Sequence, residues 1–250
     1  FAVGAQDAFG LGFRFAGPLA SGANTEFGPQ KPQAWWLLKH KQRIYADGAG
    51  DASGYHSMVA TLVAFGVTPG ELTARDGYFL DIAHYARSIE PPCWTLSELD
   101  PQKVAQGEAV FETHCASCHG TPSGAGASYP NTIIDVGTDP MRAERFGETE
   151  ASRLNLTWFG DPPLEATGAY LAQPLTGIWA RAPYFHNGSV PTLMGVLDSS
   201  QRPTYWRRAG TEVGDYDVAR LGLRYTEVSE APDPDTRAGR LVYDTTREGM

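Results

Sequence analysis

Apolar residues recur at helical intervals in two stretches of this chain and lose that rhythm almost everywhere else. From about Ala74 to Ser88, Tyr78, Ile82, Tyr85 and Ile89 return every three or four positions before Pro91-Pro92 stops the run. The spacing predicts a helix with these residues as its apolar face, and His84 falls away from that face into solvent. The second stretch runs from Gln102 to Cys115, opened by Asp100 as N-cap and Pro101 at the first helical position, with Val104, Phe111 and Cys115 on one stripe. Gly107 lies near that stripe, where it lets something approach the helix closely. A short helix is also expected from Ser57 to Phe65.

Between these stretches the chain reads as connection. Residues 1–34 are rich in Gly and Ala with little periodicity, Gly120 to Pro130 is a glycine-serine loop, and the last hundred residues are mostly loop with short apolar pieces such as Thr192 to Leu197. The 28 glycines and 18 prolines are scattered, which favours many turns and short helices. The expected fold is therefore mainly α, with short helices, long irregular loops and little β.

Composition narrows the class. A chain of 250 residues with 42% apolar content can bury a substantial core, as one large domain or two small ones. A net charge of −9, with no basic run interleaved with aromatics, argues against nucleic acid as a partner. No run of about 18 apolar residues encodes a membrane span. The chain opens at Phe1 without a charged and apolar leader, so it reads as processed or truncated. Nucleophile-elbow, P-loop and dinucleotide signatures are absent as well.

The chemistry is concentrated in Cys115-Ala-Ser-Cys118-His119. Two residues between the cysteines let both sulfurs reach the vinyl groups on one porphyrin edge, and the histidine after the second sulfur is brought under the iron. The motif predicts a c-type cytochrome with one covalent haem c, anchored by Cys115 and Cys118 and ligated by His119 as proximal ligand. A zinc site would need four ligands, and the only other cysteine, Cys93, stands alone. A redox Cys-x-x-Cys would be expected beside a βαβ pattern, which is missing. Cys93 is then expected as a buried small apolar residue, with a free thiol as the alternative. Because bacteria attach haem covalently outside the cytoplasmic membrane, the expected location is periplasmic or extracellular.

Residues 170–197 read Tyr170-Leu-Ala-Gln173-Pro-Leu-Thr176-Gly-Ile-Trp179-Ala-Arg181-Ala-Pro-Tyr184-Phe-His186-Asn-Gly188 and continue to Leu197. Together with the Cys115–His119 motif and Gly137-Thr-Asp-Pro140, this segment resembles the C-terminal haem domain of bacterial dihaem proteins in the cytochrome c peroxidase superfamily. The nearest likeness is to the rubber oxygenase branch and its uncharacterised relatives, and it extends from about Gln33 to the last residue. It implies a c-type cytochrome domain over 96–250, with residues 1–95 packing on it as the remnant of an inter-haem region. The family carries two haem motifs where this chain has one, and it continues past Tyr243-Asp244-Thr245 into a Gly-His segment that looks like the source of a distal ligand. The chain therefore reads as a piece of a longer dihaem protein or as a relative trimmed at both ends. Trp35-Trp36 falls where such relatives place an aromatic between their haems; packing is the competing role.

His186 is the only histidine after the motif and the first candidate for a distal iron ligand, with Met194 second. The resemblance implies instead that the His of Ala-Pro-Tyr-x-His-x-Gly lies near the haem without ligating it. His40 and His56 sit in polar segments, and His114 is expected at the surface or on the propionate side. Arg181 is a candidate partner for a haem propionate, since a buried carboxylate needs a charged partner and arginine offers a planar fork; Arg142 is a weaker one. Trp179 and Tyr184 are expected in the wall of the haem pocket, or as plain core. The resulting function is electron transfer with a redox partner protein or a second haem domain. Two alternatives stand beside it: the electron-storing part of a peroxide- or dioxygen-handling enzyme whose catalytic haem lies in another domain, and a non-catalytic haem sensor or structural module.

Overall fold

Three helices begin where the N-cap side chain, Thr68, Asp100 or Thr192, accepts from the first turn. In this computed structural model, which describes residues 31–56, 67–121, 128–231, 233, 236 and 238–246, α1 spans Pro69–Thr73 and opens on a capping box. Thr68 Oγ1 accepts from the Glu71 amide at 3.3 Å, and the Glu71 carboxylate accepts from the Thr68 amide at 2.9 Å. Helix α2 spans Asp76–Ser88 and α3 spans Pro101–His114. The α3 N-cap is Asp100, whose carboxylate accepts from the amides of Gln102 at 2.9 Å and Lys103 at 3.4 Å. One further turn, α4 (Ala116–His119), follows through Cys115. Helices α5 (Met141–Arg145), α6 (Glu148–Asn155) and α7 (Leu193–Leu197) complete the set among the described residues, so the fold is mainly α, as expected. The helix expected over Ser57 to Phe65 lies outside the described residues.

The face of α2 is not the one its spacing suggested. Tyr78, Ile82 and Tyr85 are 67%, 51% and 71% exposed, while Phe79, Ala83 and Ala86 are buried. The two stripes are neighbours, one residue or 100° apart on the helix. Packing selects the one with alanines because small side chains let Leu38 and Ala52 cluster against Ala86. Two tyrosine rings would hold that surface away and bury hydroxyls. Leu72 and Phe79 then join Ala49, Phe146, Ala151, Leu154 and Leu164 in the largest apolar core, which draws on both sides of the boundary expected near residue 95. His84 is exposed, as expected.

Strands are short and form small separate sheets. β1 (Arg43–Ile44) pairs with β2 (Gly50–Asp51), and β3 (Ile133–Ile134) pairs with β4 (Tyr170–Leu171), both antiparallel. β5 (Tyr205–Arg208) is the centre of a three-stranded sheet; β6 (Tyr216–Asp217) and β7 (Gly222–Leu223) pair with each other, and β8 (Tyr225–Glu227) and β9 (Tyr243–Asp244) flank β5. Trp206 on β5 is fully buried, stacks on Tyr243 at 4.0 Å and donates to the Ser189 carbonyl at 2.6 Å.

A second, polar centre lies beside β4. Arg142 and Asp47, each only 2% exposed, form an ion pair at 2.7 Å. Arg142, a sequence candidate for a haem propionate, is thus paired with a carboxylate of the chain itself. Asp139 accepts from Asn187 Nδ2 at 3.2 Å, and its carbonyl accepts from the Tyr170 hydroxyl at 2.5 Å. Removing one partner of a buried pair leaves an uncompensated charge. Asp47→Asn is expected to destabilise the fold by about 3–5 kcal/mol, measured by urea denaturation.

Candidate haem-binding site

Cys115 is the C-cap of α3, and the chain makes one more turn from it: the amides of Cys118 and His119 donate to the Cys115 carbonyl at 3.2 and 2.9 Å. Residues at i, i+3 and i+4 of a helical turn share a face, so both thiols and the imidazole emerge together. Both thiols are free and half-buried. Gly120 ends the turn at φ 78°, and a β-carbon there would lie 2.1 Å from the Ser128 carbonyl oxygen. Only glycine fits that position, because the left-handed backbone and the close carbonyl both exclude a side chain. The turn leads into a bridge between Thr121 and Ser128.

His119 is oriented from a distance in sequence. Its Nδ1 lies 2.7 Å from the carbonyl oxygen of Gln173. A carbonyl only accepts, so Nδ1 carries the proton and Nε2 keeps its lone pair for a metal. The Gln173 segment is itself fixed by neighbours: the Ala172 amide donates to the Thr132 carbonyl at 2.8 Å, and Trp36 Nε1 donates to the Thr176 carbonyl at 3.0 Å. Gln173 Oε1 and Thr176 Oγ1 are buried without a hydrogen-bond partner. Two thiols and an imidazole with a free Nε2 on one turn are the donor set that covalent haem needs. Among the described residues no three or more His, Cys, Asp or Glu side chains gather as a metal cluster, so the four ligands of a zinc tetrahedron are not assembled.

The other named residues fall along the segment that begins at Gln173. Trp179 lies in a 3-10 turn, Ile178–Arg181, with its ring edge-on to Trp94 at 5.4 Å and its carbonyl accepting from the Tyr216 hydroxyl at 2.7 Å. Tyr184 is buried and donates to the Leu221 carbonyl at 2.9 Å; burial pushes its phenol well above the usual range. Arg181 is half-buried, with Nη2 3.4 Å from the Pro32 carbonyl and 3.3 Å from Gln33 Oε1, and burial lowers its pKa to about 10. Trp36 is half-buried against this segment, whereas Trp35 is exposed.

His186 belongs to the polar centre. Its ring stacks on Tyr170 at 4.0 Å, and its Nε2 is buried without a hydrogen-bond partner. Burial lowers its pKa to about 4, against the opposing pull of Asp139. His114 is exposed, His40 sits 5.3 Å from the Tyr129 ring, and His56 packs against Trp158 with its Nδ1 bonded to the Asp161 carbonyl. Met194 on α7 is largely exposed. Cys93 is exposed, correcting the expectation of a buried apolar residue: it follows Pro91-Pro92 out of α2, in a stretch that packs its ring residues and not its thiol. Gln173, which the sequence did not single out, is the residue that orients His119; a backbone acceptor leaves no mark in residue type.

Residues 104–182 match the cytochrome c family, and residues 169–207 match the RoxA-like, cytochrome c-like family. The fold and the site thus define a cytochrome c-like domain, which implies covalently bound haem c and haem-based electron transfer. More narrowly, this is a haem domain related to RoxA-like proteins. Two curated relatives come from Sinorhizobium fredii (strain NBRC 101917 / NGR234). Uncharacterized protein y4iM is 26% identical over 200 residues, covering 67% of this chain and 44% of that protein. Uncharacterized protein y4iJ is 27% identical over 224 residues, covering 64% and 35%. The chain spans less than half the length of either relative.

Two outcomes follow from this geometry. Gly120→Ala is expected to cost about 1–2 kcal/mol from the left-handed backbone alone, with more from the Ser128 contact, and to lower the fraction of protein recovered with haem. His186 is neutral in the folded chain, whereas in the unfolded chain it takes up a proton near pH 6.5; stability therefore falls as pH drops from 6.5 toward 4. His186→Asn should flatten that decline by roughly 2 kcal/mol at pH 4.5 relative to pH 7 in urea titrations.

Proposed function

We propose that this chain is a c-type cytochrome domain that holds one haem covalently and passes single electrons to a redox partner protein or to a second haem domain. The observation that carries this reading is the Nδ1 of His119 on the Gln173 carbonyl, one turn after two free half-buried thiols. In this reading Cys115 and Cys118 form the thioether anchors and His119 is the proximal ligand. Bound there, haem supplies a one-electron ferric/ferrous couple. The Gln173 carbonyl keeps the proton on Nδ1 and fixes the imidazole plane, which limits reorganisation at the ligand when the charge changes. Trp179, Arg181 and Tyr184, on the same segment, are the residues that contact the cofactor, and the largely neutral His186 stays in the polar centre. Export from the cytoplasm accompanies covalent attachment. Among the described residues no helix is long and apolar enough to cross a membrane.

A second reading makes the chain the electron-storing part of a larger oxidoreductase that handles peroxide or dioxygen. The length of both relatives, each more than twice the matched portion, supports the larger-protein part of this reading. An optical spectrum tests the first reading. Protein produced with export and haem attachment should exceed 27.1 kDa by one haem, keep it after denaturation, and give a sharp low-spin reduced spectrum insensitive to carbon monoxide. Cys115→Ala with Cys118→Ala should release the haem on denaturation. A high-spin ferric spectrum that shifts with carbon monoxide or peroxide would replace electron carriage with an open coordination site, and a colourless protein without the mass increment would end both readings.

A further inference from the structure

Four cations gather around the segment 31–34 and the turn 186–190. Lys31 donates its amide to the His186 carbonyl at 2.6 Å, and its side chain lies against Gly188. Arg181 and Lys41 reach the same segment from two other directions, Arg181 at Pro32 and Gln33 and Lys41 at the Ala34 carbonyl, 3.3 Å away. Arg208 ends β5, two residues beyond Trp206, which is bonded to Ser189; it reaches the Tyr243 hydroxyl, yet its Nε is buried without a hydrogen-bond partner.

Among the described residues no ion pair joins a carboxylate to these cations. Lys39 pairs with Glu90, Arg43 with Glu165 and Arg142 with Asp47, and none of these pairs includes Lys31, Lys41, Arg181 or Arg208. Burial, reinforced by Arg181 and Arg208, lowers the Lys31 pKa to about 7, and burial with Arg181 lowers that of Lys41 to about 8. Like charges brought together out of water oppose folding unless an anion compensates them. Separate chain segments thus bring two lysines and a guanidinium fork to one region, a set that suits a carboxylate.

We propose that Lys31, Lys41 and Arg181, backed by Arg208, form a carboxylate-binding site. It rests on the cytochrome reading for one source of that carboxylate, the haem propionates; a small carboxylate from solution is the other. The test compares the haem-loaded wild type with Arg181→Gln, Lys31→Gln and the charge-retaining Arg181→Lys, checking each fold by circular dichroism. Cations beside the carboxylates favour the ferrous state, so with propionate as the occupant each Gln variant should shift the ferric/ferrous equilibrium about tenfold toward ferric, about 59 mV lower for one electron. Arg181→Lys, which keeps the charge, should hold the potential close to wild type, and added citrate should have no effect. With a free carboxylate as the occupant, citrate should raise the thermal midpoint of the wild type, and Arg181→Gln should weaken that response at least tenfold. Folded Gln variants with wild-type potential and wild-type response to citrate would overturn the site. The citrate titration needs no haem, so a protein that never acquires haem would fail the cytochrome reading while the thermal shift still decides this one.

Discussion

The hydrogen bond from the His119 imidazole to the Gln173 carbonyl joins two parts of the chain 54 residues apart, and the rest of the structure makes sense as what holds its two ends. On one side α3 and its extra turn carry two thiols and the ring. On the other, the acceptor belongs to a backbone with no helix or long strand to fix it. A carbonyl sets the tautomer and plane of an imidazole only while it keeps its own position. The β3–β4 pair ends at Leu171, the Ala172 amide is tied to Thr132, and Trp36 holds Thr176 three residues beyond the acceptor. Gly177, at φ 76°, lets Pro91 and Trp36 pack where a β-carbon would lie 2.9 and 3.3 Å from them. The segment before α3 is thereby tied to the segment that orients His119, the last residue of α4.

How much of this was legible depended on whether function demanded a fixed spacing. The motif at Cys115–His119 was legible because thioether chemistry tolerates few other arrangements, and α3 was legible because Asp100-Pro101 is a start signal in residue types. The existence of α2 was legible and its orientation was not. Its two stripes differ by one position, and the choice between Tyr78/Ile82/Tyr85 and Phe79/Ala83/Ala86 belongs to Leu38 and Ala52, which lie far off in sequence. The β5 sheet was hidden for a different reason: strands of two to four residues are too short to display alternation. Lys31 and Lys41 carried no mark as site residues, since only folding brings them to Arg181. Arg142 was visible as a charged residue near a motif, yet its role depended on Asp47, which the pattern left unremarked.

A chain this rich in glycine and proline also needs a substitute for the ladders that stiffen regular proteins. The region 173–190 finds it in side chains that bond to backbone. Tyr184 reaches Leu221, Tyr216 reaches Trp179, Trp206 reaches Ser189, and Asn187 joins the Ser189 amide to Asp139. These donors and acceptors are buried or half-buried, and a bond between such groups is costly to leave unmade. The polar centre at Asp47, Arg142, Asp139 and Tyr170 then has a structural logic: it meets the backbone needs of an irregular segment that an apolar core could not satisfy. Polar groups buried in pairs therefore anchor residues 184–190, while α1, α2 and α6 supply side chains to the largest apolar core. Such a division explains why the residues surrounding the candidate site are so often Tyr, Trp, Asn and Asp. These residue types combine packing surface or short reach with a group that can bond to a loop.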